Sequence, residues 1–130
     1  MESVNPSNNS RVIIIQKLYA KEFNKDSELT FPKHRYKKFI KDIVLGTLER
    51  KELIEKTIKQ HLEEDIDIKR TEILLIIFLH AAIFEILYRP ATSINIIINE
   101  YLNSSEFFLE QSQKKYLNAI LDKVSKKIRS

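Results

Sequence analysis

The chain has no cysteine, one glycine and three prolines in 130 residues. Without cysteine there is no disulfide scaffold and no thiolate metal site. So little glycine and proline argues against a sheet-rich fold with many tight turns and favours long helices. Neither sign of charge dominates. Lys and Arg number 22 against 18 Asp and Glu, a formal net charge of +4, which leans only mildly towards anionic partners. No apolar run reaches the roughly 20 residues that a bilayer span needs, so no membrane partner is expected. The first residues lack a charged segment followed by an apolar one; no signal peptide is expected, and the cytoplasm is the expected compartment.

What is present suits one globular domain, at 43% hydrophobic and 31% charged residues. The organising stretch is ILLIIFLHAAIFEIL, Ile73 to Leu87, interrupted only by His80 and Glu85. A helix that is apolar all round belongs in an interior. The spacing predicts it from about Lys69 to Tyr88, where Arg89-Pro90 stops it, because proline pushes its predecessor out of the α region.

The other elements are read from helical periodicity. Residues 1–9 are expected to be a polar tail, and 10–130 a single all-α domain. Ser10 is the expected cap of a first helix through Val12, Ile15, Leu18, Tyr19 and Phe23. Pro32 is placed to open a second helix, with Tyr36, Phe39, Ile40, Ile43, Val44 and Thr47 inward and Lys33, Arg35, Lys37, Lys38 and Lys41 on a solvated face. Gly46 lies inside that pattern, where it costs about 1 kcal/mol against alanine; a close helix–helix approach is the expected compensation. Leu53, Ile54, Ile58, His61 and Leu62 mark a third helix, followed by an acidic bend at Glu63, Glu64, Asp65 and Asp67. Thr92 or Ser93 caps a helix through Ile94, Ile97, Ile98, Tyr101 and Leu102, with Asn95, Asn99 and Asn103 as a polar stripe. Ser112 is the expected cap of the last helix, which buries Leu117, Ile120, Leu121, Val124 and Ile128.

Nothing here assembles an enzyme. His34, His61 and His80 lack metal-ligand spacing, there is no glycine-rich phosphate loop, and no serine stands in a nucleophile elbow. Glu85 is read as a structural carboxylate accepting hydrogen bonds from a helix terminus or an asparagine. The competing reading, a proton-transfer group, has no second catalytic residue beside it. His80 is read as a satisfied core or boundary histidine. Lys114 and Lys115 fall in the first turn of the last helix, where each exposed cation opposes the helix dipole by about 0.3–1 kcal/mol. With Tyr116 adjacent, they point to phosphate contact and base stacking. The alternative is a solvated face with Tyr116 partly in the core.

FEILYRP, then INEYLNSSEFF, then YLNAILDK together resemble the C-terminal half of the NusB family of bacterial transcription antitermination factors. Arg11 to Tyr19 and Tyr36 to Gly46 are similar to its N-terminal helices, and Phe107-Phe108 to its alphaproteobacterial members. The resemblance spans residues 10–128. It implies about six to seven helices in two small bundles, with no cofactor and no catalysis. It also implies pairing with NusE, a ribosomal small-subunit protein, to bind single-stranded boxA RNA in an RNA polymerase antitermination complex. Carried onto this chain, the RNA-binding residues are Arg11, Tyr19, Lys114, Lys115 and Tyr116, and the structural buried polar residues are Glu85, Asn99 and Asn118. The alternative is an interaction module of this fold with weak or lost RNA binding. A domain preceding a ribosomal RNA methyltransferase is disfavoured, because no such domain follows Ser130.

Departures from the family pattern are as informative. Met1 to Ser10 carries Glu2 and no Lys or Arg where the family has an arginine cluster. Fewer phosphate contacts predict weaker and less salt-sensitive RNA binding than is usual in the family. His80 stands where arginine is usual, Leu109-Glu110 where a turn carries glycine, Ala119 where glycine is usual, and Thr92-Ser93 where valine-proline is usual.

Overall fold

The computed structural model describes residues 8–62, 64, 66–67 and 70–129. Among these residues there are six helices and no strand: α1 (Ser10–Phe23), α2 (Lys37–Glu49), α3 (Lys51–Leu62), α4 (Ile73–Tyr88), α5 (Ile94–Ser105) and α6 (Gln111–Ile128). Leu75 through Ile86 of α4 are buried without a break. The other five helices all pack against α4. That is how an all-round apolar helix satisfies its surface. The two expected bundles therefore share a single continuous core. No helix among the described residues is long and apolar enough to cross a membrane.

Several boundaries differ from the sequence reading. Asn9, not Ser10, caps α1: its Oδ1 accepts from the backbone N–H groups of Arg11 (3.0 Å) and Val12 (3.1 Å). Pro32 does not open α2. The His34 ring accepts the Tyr36 N–H at 2.9 Å, forming a turn that delays the helix to Lys37 and leaves Tyr36 half exposed. Ser112 is displaced as the α6 cap by Glu110, whose N–H donates to Gln113 Oε1 at 3.0 Å. Of the two candidates for α5, Ser93 is the cap. Helix α4 begins at Ile73; the expected start at Lys69, most of the N-terminal tail, and Glu63 and Asp65 of the acidic bend lie outside the described residues. Phe23 and Leu53, two apolar positions of the helical pattern, are exposed. Phe23 ends α1 and stacks on Tyr19, with ring centroids 4.7 Å apart. In α3 the buried stripe is Ile54, Ile58 and Leu62, and Leu53 falls beside it.

Gly46 lets α2 approach α4 closely. A Cβ there would lie 2.7 Å from Cε1 of Phe84, and Cζ of the same ring would also clash. Phe84 is buried and packed on Tyr88 at 5.1 Å, so the ring has little room to yield. Gly46→Ala gains about 1 kcal/mol of helix propensity but overpacks this contact at a cost of about 1–3 kcal/mol. The expected result is a net loss in the urea midpoint; a gain would show that the helices separate freely.

The C-terminal end of α4 is closed from a distance. Arg129 donates to the carbonyls of Ile86 (2.9 Å), Arg89 (2.9 Å) and Thr92 (2.7 Å). A guanidinium satisfies the orphan carbonyls of the last turn and complements the dipole. The end of α6 is thereby fastened to the end of α4.

His80 is buried, but it is not the satisfied histidine expected. Glu55 Oε2 stands 3.2 Å from Nε2 without hydrogen-bond geometry, so Nε2 has no hydrogen-bond partner. Burial lowers its pKa from 6.5 to about 4; Lys51 adds to the lowering and Glu22 opposes it. The unfolded chain therefore takes up a proton near pH 6.5 while the folded chain stays neutral until about pH 4. Stability should fall by on the order of 3 kcal/mol as pH drops through that window. Urea titrations at pH 7 and pH 4.5 test this against His80→Gln, which should lose less. Equal losses in the two proteins would contradict it.

Candidate nucleic-acid interface

The start of α6 is anchored from both sides. Leu109 is buried just before it and Leu117 within it. Gln113 donates its side-chain amide to Glu72, at the head of α4. This clamp fixes the first two turns and turns Lys115 and Tyr116 outward. Both are exposed, Tyr116 by 37%. Lys114 is different: it is half-buried and paired with Glu106, in the turn after α5. That carboxylate offsets the unfavourable cation at the helix N-terminus. With Glu110 as the cap, Lys114 is the fourth helical residue and Lys115 the fifth, so the dipole argument weakens at the paired Lys114 and does not extend to Lys115, whose case rests on its exposure beside Tyr116.

Arg11 points inward. Its guanidinium makes a two-point contact with Glu85, Nη2 to Oε1 at 2.7 Å and Nε to Oε2 at 3.2 Å. The Phe39 ring lies 4.8 Å from its central carbon. Burial alone would pull the Arg11 pKa down, but the hydrogen bond and charge of Glu85 outweigh it, and the net shift is upward. Glu85 is fully buried, and its second partner is the Tyr101 hydroxyl, which donates to Oε2. Burial first, and then the Glu85 charge, push the Tyr101 phenol well above its ordinary value of 10, so it remains a donor. The partners of Glu85 are thus an arginine and a tyrosine, not the helix terminus or asparagine expected. Such a charge survives burial because every oxygen is engaged.

The remaining candidates scatter. Tyr19 is exposed two turns along α1 from Arg11. Helices α1 and α6 do not touch among the described residues; α5 packs against both. Asn99 and Asn118 are exposed, not buried. Asn99 belongs to the solvent stripe with Asn95 and Asn103, about 100° per residue away from Ile98. Asn118 is turned off the Leu117–Leu121 seam in the same way. Sequence reasoning missed Tyr101 and Arg129. A tyrosine on an inward stripe needs a hydroxyl partner, and Glu85 needed a donor; that pairing was available. Among the described residues no three metal-ligating side chains cluster.

These features define an all-helical protein with a clamped helix start that presents a cation and an aromatic ring to solvent. The NusB family model matches residues 8–126, and the chain belongs to that family. It is similar to the transcription antitermination protein NusB of Mesorhizobium japonicum, 31% identical over 87 residues, which cover 67% of this chain and 56% of the relative. It is also similar to that of Lysinibacillus sphaericus, 34% identical over 85 residues, which cover 65% of this chain and 66% of the relative. The match thus spans little more than half the length of the Mesorhizobium protein. The fold is like that of T. maritima NusB, with a TM-score of 0.77 at 21% identity, covering 97% of this chain and 93% of that one.

Proposed function

We propose that this chain is a transcription antitermination factor. In this reading it is a non-enzymatic RNA-binding adaptor that needs no cofactor. It pairs with the ribosomal protein NusE, and the two hold boxA-type single-stranded RNA within an RNA polymerase antitermination complex. The observation that carries the reading is the exposed Lys115–Tyr116 pair on the clamped start of α6 in a chain of this family. A lysine supplies a phosphate contact and a tyrosine a stacking face, the two components of single-strand binding. Lys114 joins them when Glu106 yields it to a phosphate. Arg11 has its charge committed to Glu85, so its role is to position the start of α1 beside the RNA. Tyr19 serves the seam between RNA and partner.

A second reading is an interaction module that binds NusE and has weak RNA affinity. It is favoured by the tail, which has no Lys or Arg through Ser10, and by the carboxylates that occupy Arg11 and Lys114. Gel-shift titration of boxA and scrambled RNA, with and without NusE, separates the two. Preference for boxA supports the adaptor. NusE binding with no RNA preference selects the module.

A further inference from the structure

Basic residues before and within the first turns of α2 border two depressions. One, of about 530 Å³, lies between the head of α1, Tyr36 and Phe39, and Ile96 and Glu100 of α5. The other, of about 300 Å³, is bounded by Arg35, Lys38, Asp42 and Arg89. Tyr36 and Phe39 line both, so the two depressions adjoin at these rings as one interrupted groove.

Its walls alternate rings and guanidinium groups. The central carbon of Arg35 lies 5.4 Å from the Tyr36 ring centroid, and Tyr36 is 50% exposed. Phe39 is held between Arg11, at 4.8 Å, and Arg89, at 5.4 Å. Charge is not uniform. Asp42 takes Lys38 at 2.8 Å and Arg89 at 3.6 Å, and Glu100 stands at the far wall. Arg35 and the neighbouring Lys33 and Lys37 are exposed. An exposed ring flanked by arginine offers a base a stacking face and its phosphate a cation.

The groove is connected to the start of α6 through α5. Asn9 lines it and accepts from Ser104 Oγ at 3.4 Å. Ser104 is two residues from Glu106, the partner of Lys114. The C-terminal turn of α5 therefore lies between the groove and the start of α6.

We propose that the groove at the head of α2 is a second single-stranded RNA subsite, with Tyr36 stacking a base and Arg35 holding a phosphate of the nucleotides that flank the segment bound at α6. The inference rests on the RNA-binding reading above.

The test is fluorescence anisotropy of the full chain, with NusE, on boxA RNA and on the same RNA lengthened at either end by uridines. The lengthened RNA is expected to bind about tenfold tighter, and Arg35→Glu with Tyr36→Ala to remove that gain while leaving the short RNA unaffected. Arg35→Lys with Tyr36→Phe should keep most of it. The salt slope on the lengthened RNA should fall by roughly one phosphate contact in the first variant. No gain on lengthening, or a gain that survives the first variant, overturns the subsite and leaves the α6 assignment standing. Loss of NusE binding with RNA affinity intact would make the groove a protein contact and also overturn it. Failure of the unaltered chain to bind either RNA overturns both readings.

Discussion

Lys115→Glu combined with Tyr116→Ala is expected to weaken boxA RNA binding by about a hundredfold, with the helical circular dichroism signal unchanged. Removing the ring forfeits a stacked base, a loss of about 1–3 kcal/mol. Reversing the charge at Lys115 removes one counterion-release contribution and adds repulsion, so the salt slope should also become shallower. The fold should tolerate both changes because the packing of this turn is carried by Leu109 and Leu117, and its position by the Gln113–Glu72 bond. Gel-shift titrations at two salt concentrations read both quantities. Unchanged affinity at full helicity would remove Lys115 and Tyr116 from the RNA surface.

Glu85→Ala is expected to destabilise the fold by about 3–5 kcal/mol, the range for removing one partner of a buried charged pair. Against a typical total of about 5–15 kcal/mol, that is a large fraction. The Arg11 guanidinium lies close enough to the surface, at 13% exposure, to find water. Tyr101 is fully buried and cannot, so its hydroxyl would lose its carboxylate inside a new cavity. Arg11→Ala is therefore expected to cost less than Glu85→Ala. The double variant should cost less than the sum of the two, because the groups act as one network. Urea unfolding of the four proteins measures this directly. Strict additivity would show that Arg11 and Glu85 do not support each other.

The helical plan was legible because it follows from composition and period. One glycine, a greasy central stretch and repeated i, i+3, i+4 apolar spacing leave few alternatives. The close approach at Gly46 was legible for the same reason: glycine inside a helix needs a compensating contact, and Phe84 supplies it. Helix starts were less so. Asn9 beside Ser10, and Glu110 two residues before Ser112, are competing caps; Asn9 is supported by Ser104 arriving from α5, and Glu110 by Gln113 in its own first turn. The buried network was half legible. Glu85 had to be paired, but its partners come from α1 and α5, and pairing across helices leaves no local signature. Lys114 shows the opposite error. Its place in the first turn suggested an anion, and the fold supplies one in Glu106. Asn99 and Asn118 were placed inside on the strength of motif membership, whereas their helical phase faces solvent.

The account stands most directly on where RNA touches the protein. Amide chemical-shift mapping of the isotope-labelled chain, in complex with unlabelled NusE and titrated with boxA RNA, reads this residue by residue. The prediction is that the largest RNA-dependent shifts fall in the first two turns of α6, between Gln111 and Asn118, and that scrambled RNA produces them only weakly. RNA binding that leaves those amides unmoved would contradict the account.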